Sequence, residues 1–181
     1  MPVLPETLTL HGSDVVLRDW RDDDAASVEP VCGDPEVCRF TTVPWTYSRS
    51  AAVAWISRLH ARRLAGSGLA LAITRSGADT ALGNVNLVRF SADGQTAALG
   101  YWVIPAARRR GLALAGASLL CDWGFAELHL SSIELAILPE NTASHRVAER
   151  LGAVRQGLRR NSHQAEGRLW DMVIYKLTPT D

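Results

Sequence analysis

Lysine is almost missing from this chain of 181 residues. Lys176 is the only one, and every other strongly basic side chain is an arginine. Acidic and basic residues balance at 19 each, so the formal net charge is zero. No global field then draws the molecule to nucleic acid or to an anionic membrane, and neither is expected as a partner. Cysteine is sparse and odd in number: Cys32, Cys38 and Cys121. Three thiols make a poor disulfide framework and fit a reducing compartment. The Cys32–Cys38 spacing does not suit the usual zinc pairs. No apolar run reaches the ~18 residues of a membrane span, and Met1–Glu6 lacks the basic-then-apolar order of a signal peptide. These absences predict a cytoplasmic location.

The common phosphate and metal signatures are missing too. The only G-x-G, Gly66 to Gly68, has Leu71 where a third glycine should stand, so the dinucleotide fingerprint fails. There is no G-K-[ST] and no H-E-x-x-H. No metal is expected.

What is present is a globular composition, 47% hydrophobic, of a length that predicts one domain over residues 1–181. Asp14–Trp20 reads as a strand. Asp22-Asp23-Asp24 opens a short helix to about Val31, where negative charge complements the helix N-terminus. Ser48 or Ser50 caps a longer helix to about Leu64, with Ala52, Ile56, Leu59 and Arg63 on one face. Three strands follow, Leu69–Thr74, Ala81–Phe90 and Ala97–Ile104. Turn signals between them predict an antiparallel meander. A helix over about Arg110–Leu128 carries Ala113, Gly116 and Ala117, small enough for close approach. Ser132–Leu138 is a strand, and Asn141–Leu151 is a helix closed by Gly152. Val154–Leu158 and Arg168–Leu177 read as strands joined by a polar loop holding Asn161, Ser162, His163, Gln164, Glu166 and Gly167. The order predicts an α+β sheet layered with helices.

One turn stands out chemically. A strand ends at Ile104, Pro105 breaks it, and Arg108-Arg109-Arg110 leads into Gly111-Leu112-Ala113 and the long helix. A helix start offers unsatisfied N–H groups and the positive end of the dipole. Gly111 lets an anion reach the backbone, Ala113 keeps the next exposed position small, and arginines add bidentate donors. Taken alone, the same residues also describe a basic surface turn before an ordinary helix.

Arg108-x-x-Gly111-x-Ala113, preceded by Leu99-Gly100-Tyr101-Trp102-Val103-Ile104-Pro105, resembles the acetyl-CoA motif R/Q-x-x-G-x-G/A of the GNAT acetyltransferases. The segment Asn141-Thr142-Ala143-Ser144 through Leu151-Gly152-Ala153 resembles the N-x-x-S-x-x-(V/A)-x-x-x-L-G-F segment of the ribosomal-protein N-acetyltransferases of the RimJ/RimL type. The likeness runs from about Val15 to Lys176. It implies the GNAT fold, a mixed, mostly antiparallel sheet of six to seven strands with four main helices. It implies acetyl-CoA as acyl donor, a protein N-terminal amine or a small amine as acceptor, and a homodimer. A non-catalytic acyl-CoA sensor of the same fold is the alternative.

The resemblance also implies roles. Trp102, Val103 and Ile104 would hold the pantetheine arm as an added strand beside a bulge. The N–H near Val103 would face the thioester oxygen, and Arg108 to Ala113 would hold the pyrophosphate. Ser144 would protonate the departing sulfur, and Asn141 would bond the arm or orient a water. Residue type alone allows blander roles, since Asn141 is a good N-cap and Ser144 can be solvated in a first turn. The glutamate that serves as base in related proteins is replaced by His163. A histidine titrating near ~6.5 can take a proton at neutral pH. Glu166 and solvent are the other candidates. Trp45 and Tyr101 are expected at the acceptor, in a region also holding Phe40 and Trp55. Asp34, Glu36 and Glu166 are the carboxylates that would attract a cationic amine.

Overall fold

The computed structural model describes residues 2–179, apart from the side chain of Glu36. A two-residue strand β1 (Leu10–His11) pairs with β2 (Val15–Arg18). The helix expected from Asp22 is broken, with α1 (Ala25–Val28) lying between two 3-10 turns. Pro30 sits in the second of these turns, and having no N–H it cannot extend the α-helical ladder.

The apolar pattern does not reveal the next helix, α2 (Pro35–Phe40). Six residues are too few to show a periodic face. Its start is nevertheless chemically marked: Asp34 Oδ1 accepts the Val37 N–H at 3.3 Å, and Pro35 takes the first helical position. Of the two serines that could cap α3 (Arg49–Leu64), Ser48 does so, accepting the Ala51 N–H at 3.1 Å. The buried face of α3 includes Ala52, Ile56, Leu59 and Arg63, as the spacing predicts.

The meander forms as β3 (Gly68–Arg75), β4 (Gly83–Val88) and β5 (Thr96–Val103). Then come α4 (Leu112–Glu127), β6 (Ser132–Ile137), α5 (Thr142–Arg150), β7 (Val154–Ala165) and β8 (Arg168–Leu177). The sheet order is β1-β2-β3-β4-β5-β6-β8-β7, and β5–β6 is the parallel pair in it. Eight strands exceed the six to seven expected, the very short β1 being one addition.

The polar stretch after Leu158 is a second correction. It is strand rather than loop, since His163 pairs with Trp170, Gln164 with Leu169 and Ala165 with Arg168. β7 is the edge of the sheet and mostly exposed, so it lacks the alternation that a half-buried strand displays.

Strand alternation divides the core. Leu71, Ile73, Val85, Leu87, Leu99 and Leu135 face α4 and α5. Ala70, Ala72 and Trp102 face the opposite side, against Trp20, Trp55 and Ile56 of the early segment. α4 lies close to its face of the sheet. A Cβ built on Gly116 would stand 3.1 Å from Ile73 Cδ1, so the small residues along this helix set the layer spacing.

Candidate active site

β5 and β6 pair only at Thr96↔Ser132, Ala97↔Ile133 and Ala98↔Glu134. Beyond that point β5 stays with β4 up to Val103, while β6 stays with β8 up to Ile137. The two strands diverge, and their facing edges have no strand partner. The β4–β5 register is unbroken, so the gap opens by divergence rather than at a bulge. Ile104 N–H donates to the Leu82 carbonyl at 2.9 Å on the β4 side. Backbone groups alternate sides along a strand, so the N–H and C=O of Tyr101 and Val103 point into the gap. A cavity of about 1220 Å³ runs through it, from Gly111 and Ala113 at one end to Phe40 and Met172 beyond the sheet.

The basic turn closes one end of this cavity. Arg109 and Gly111 both have left-handed backbone, with φ of 61° and 78°. Gly111 is the N-cap of α4, which therefore begins at Leu112 rather than Arg110, and no side chain caps it. The first N–H groups of the helix are left facing outward. A Cβ on Gly111 would meet no atom within 4 Å, so the space in front of the backbone is open. An anion the size of a phosphate fits that cradle. Arg109 and Arg110 are exposed and make no ion pair among the described residues. Arg108 behaves differently from the expectation. Its Nε donates to the Val103 carbonyl at 3.0 Å and its Nη2 to Asp34 Oδ2 at 2.6 Å. It braces the end of β5 against the segment before α2 instead of reaching outward. Leu112 is buried in the core, so only its backbone can serve a ligand.

α5 starts on the opposite side of the gap. Asn141 is its N-cap: Oδ1 accepts the Ser144 N–H at 3.0 Å. The structural role open to it in sequence is therefore realised, with the amide nitrogen and one lone pair of Oδ1 left for a ligand. Ser144 is partly exposed and lines the cavity, and its hydroxyl has no hydrogen bond among the described residues. Tyr101 Oη donates to the Ser144 carbonyl at 3.4 Å. Burial pushes this phenol up to about 12, so it remains a protonated donor. The side chain of Tyr101 belongs to the α4/α5 face. That corrects its expected place at the acceptor, because the acceptor-side aromatics lie across the sheet.

Trp102 points the other way. It is 5% exposed and packs against Trp20 and Trp55, with ring centroids 5.8 and 6.1 Å away. Its side chain thus serves the core beneath the early helices, and only its place in β5 bears on the cofactor side. Ile104 packs against both main core clusters. Trp55 is core as well, its Nε1 donating to Thr42 Oγ1 at 3.0 Å. Trp45 is 47% exposed and lines the cavity.

His163 lines the same cavity, stacked 4.9 Å from Phe40. Its Nε2 lies 3.4 Å from the Arg39 carbonyl. A carbonyl only accepts, so Nε2 carries the hydrogen in this contact and Nδ1 is left to take a proton. Glu166 lines the cavity too but is held by Arg39 Nε at 2.7 Å. With Asp34 bound to Arg108, two of the three carboxylates expected to attract a cationic amine are already neutralised. The side chain of Glu36 lies outside the described residues.

Sequence reasoning passed over His145. Its Nδ1 lies 3.0 Å from Tyr175 Oη and its Nε2 3.0 Å from the Leu138 carbonyl. It pins the first turn of α5 to the end of β6 and to β8. It also passed over Asn86 and Gly100 on the acceptor face: a Cβ on Gly100 would stand 2.7 Å from Asn86 Oδ1. Asn86 carries no local motif, and although Gly100 lies within the Leu99–Pro105 segment, the closeness of the two depends on β4–β5 pairing.

Comparison with known proteins agrees with this geometry. The family described as "Acetyltransferase (GNAT) domain" matches residues 14–154. The N-acetyltransferase p20 of Bacillus licheniformis is 27% identical over 169 residues, covering 93% of this chain and 95% of its own. Mycobacterium smegmatis RimJ in complex with CoA-disulfide superposes with a TM-score of 0.80 at 23% identity, over 95% of this chain and 86% of that one. The ribosomal-protein-S5-alanine acetyltransferase of Vibrio fischeri superposes with a TM-score of 0.77 at 15% identity, over 96% and 98%. An open cradle at the start of α4, a parted β5–β6 pair and a family match spanning both place this chain in the GNAT acetyltransferase family.

Proposed function

We propose that the chain transfers an acetyl group from acetyl-CoA directly to a primary amine, either a protein N-terminal α-amine or a small amine. The β5–β6 gap carries this reading, because one cavity joins its free edges to the α4 cradle and to Ser144. The bound thioester supplies the activated acetyl group. The N–H groups of Gly111, Leu112 and Ala113, with the Arg109 and Arg110 guanidiniums, hold the pyrophosphate. The Val103 N–H, whose carbonyl is taken by Arg108, pairs the pantetheine arm as an added strand. The Tyr101 N–H, the next free one toward the closed end of the gap, donates to the thioester carbonyl oxygen as negative charge develops there.

Ser144 donates the proton that the departing sulfur takes up. The Asn141 amide nitrogen donates to the arm. On the acceptor side Trp45 packs against the incoming amine, and His163 Nδ1 is placed to take its proton. An N-terminal α-amine, with a pKa of roughly 7.7–8.0, already has a neutral fraction at physiological pH, whereas a lysine near ~10.4 has almost none. An α-amine therefore asks little of the base. A structural relative described as a ribosomal-protein-S5-alanine acetyltransferase supports a protein acceptor. The expected homodimer and cytoplasmic setting belong to the same reading.

A screen of peptide N-termini and small amines, read by free-thiol release, tests the reaction. Acetyl-dependent thiol release with at least one amine class is the expected result. A thermal shift with acetyl-CoA but no release from any amine would instead indicate the sensor.

A further inference from the structure

The whole chain is electrically neutral, yet the cavity is not. Eight arginines line it, and Glu166 is its only carboxylate among the described residues. Arg108, Arg109, Arg146 and Arg150 lie on the turn before α4 and on α5, where the anionic cofactor is read to enter. Arg39 is neutralised by Glu166, and Arg159 is neutralised by both oxygens of Glu134 at 2.8 and 2.7 Å. That leaves Arg62 of α3 and Arg89 just past β4. Both are exposed, and neither makes an ion pair among the described residues.

These two positions are neighbours in space. Gly68 pairs with Val88, the residue before Arg89. The Arg62 Cβ lies 3.8 Å from where a Cβ on Gly68 would stand. Val88 in turn pairs with Ala98, the last β5 residue still joined to β6. Arg89 therefore stands one strand, and Arg62 two strands, from β5 at the closed end of the gap. Gly100, which precedes Tyr101 and lies on the acceptor face at the narrow end of the gap, is two residues above Ala98. At ~3.3 Å per residue and ~4.8 Å between strands, the backbone beneath the pair lies roughly 11–12 Å from Gly100. An extended peptide whose amine sits there spans about 3–10 Å with its second to fourth residues, and the long arginine side chains close the remaining distance.

We infer that the acceptor is a polypeptide N-terminus carrying Asp or Glu within its first four residues, recognised by Arg62 and Arg89. This rests on the transfer reading above, in which the Tyr101 N–H beside Gly100 marks the reacting end. Exposed arginines act through Coulomb attraction screened by salt, so the preference should be moderate and ionic-strength dependent.

The test compares kcat/KM for hexapeptides that share a first residue and differ at positions two to four: acidic, glutamine or lysine. At low salt the acidic peptide should exceed the lysine peptide about tenfold, with the difference shrinking in 1 M NaCl. Arg62→Glu combined with Arg89→Glu should invert that order while keeping the parent's melting shift with acetyl-CoA. Equal use of the three peptides, a basic preference, an unaffected order in the double variant, or turnover confined to small anionic amines would overturn the inference. An absent melting shift in the parent protein would instead sink the transfer reading on which it stands.

Discussion

Ser144 is held at both ends of its backbone, the N–H by Asn141 and the carbonyl by Tyr101, which leaves the hydroxyl as its free group. Ser144→Ala should lower kcat about 100-fold, the lower range for a general acid, with little change in the KM for acetyl-CoA. Steady-state kinetics that show kcat unchanged would remove the acid role. Tyr101 stays protonated well above neutral pH because burial raises its phenol to about 12. No limb of the pH–rate profile between pH 6 and 9 should then belong to it, and Tyr101→Phe should keep the limbs of the parent. A limb lost in that variant would contradict the assignment. The Asn141 and Ser144 pair was readable in sequence because a cap and the residue three positions later form a local pattern. Arg108 and Tyr101 were not. What Arg108 binds depends on the chain folding back to Asp34 and Val103, and the face Tyr101 takes depends on the parity of its strand.

At the scale of elements, β2 is tied to the helical segment after it by Arg18, 5% exposed, which binds both oxygens of Asp24 at 2.7 and 2.8 Å and Asp79 Oδ1 at 2.7 Å. Removing Asp24 leaves a buried guanidinium short of its main partner. Asp24→Ala should cost about 3 kcal/mol in a chemical denaturation measurement. Asp79 is an exposed partner whose carboxyl is held below its ordinary value, first by the hydrogen bond from Arg18. A depressed carboxylate stabilises the fold above its unfolded pKa, and that contribution is lost as pH falls through the lower folded value. The stability gap between the parent and Asp79→Asn should therefore be flat from pH 5 to 8 and close below about pH 4. A gap that widens on acidification would reverse the sign of this linkage. The long helices and the meander were legible, since Ser48, the Ser76–Asp79 and Ala92–Gly94 turns and the apolar spacing are local signals. α2 was too short to show a period, and β7 was too exposed to show alternation.

Across the whole molecule, the two faces of one sheet divide the work. α4 and α5 sit over one face, and the Trp20–Trp55–Trp102 cluster fills the other beneath the early helices. Trp55→Ala should cost about 3–5 kcal/mol, as for other buried aromatics, and should loosen the acceptor side before the cofactor side. Thermal melting with and without acetyl-CoA checks this: the variant should melt lower but keep its ligand-induced shift. The parting of β5 from β6 is a property of the assembled sheet, fixed by how far each strand follows its other neighbour, and no stretch of sequence spells it out. The family motifs pointed to both of its ends. Hydrogen exchange on the parent protein with and without acetyl-CoA tests that gap most directly. Slowed exchange is expected at the Tyr101 and Val103 amides and across Gly111 to Ala113. Acetyl-CoA binding that leaves these amides unprotected would contradict this expectation.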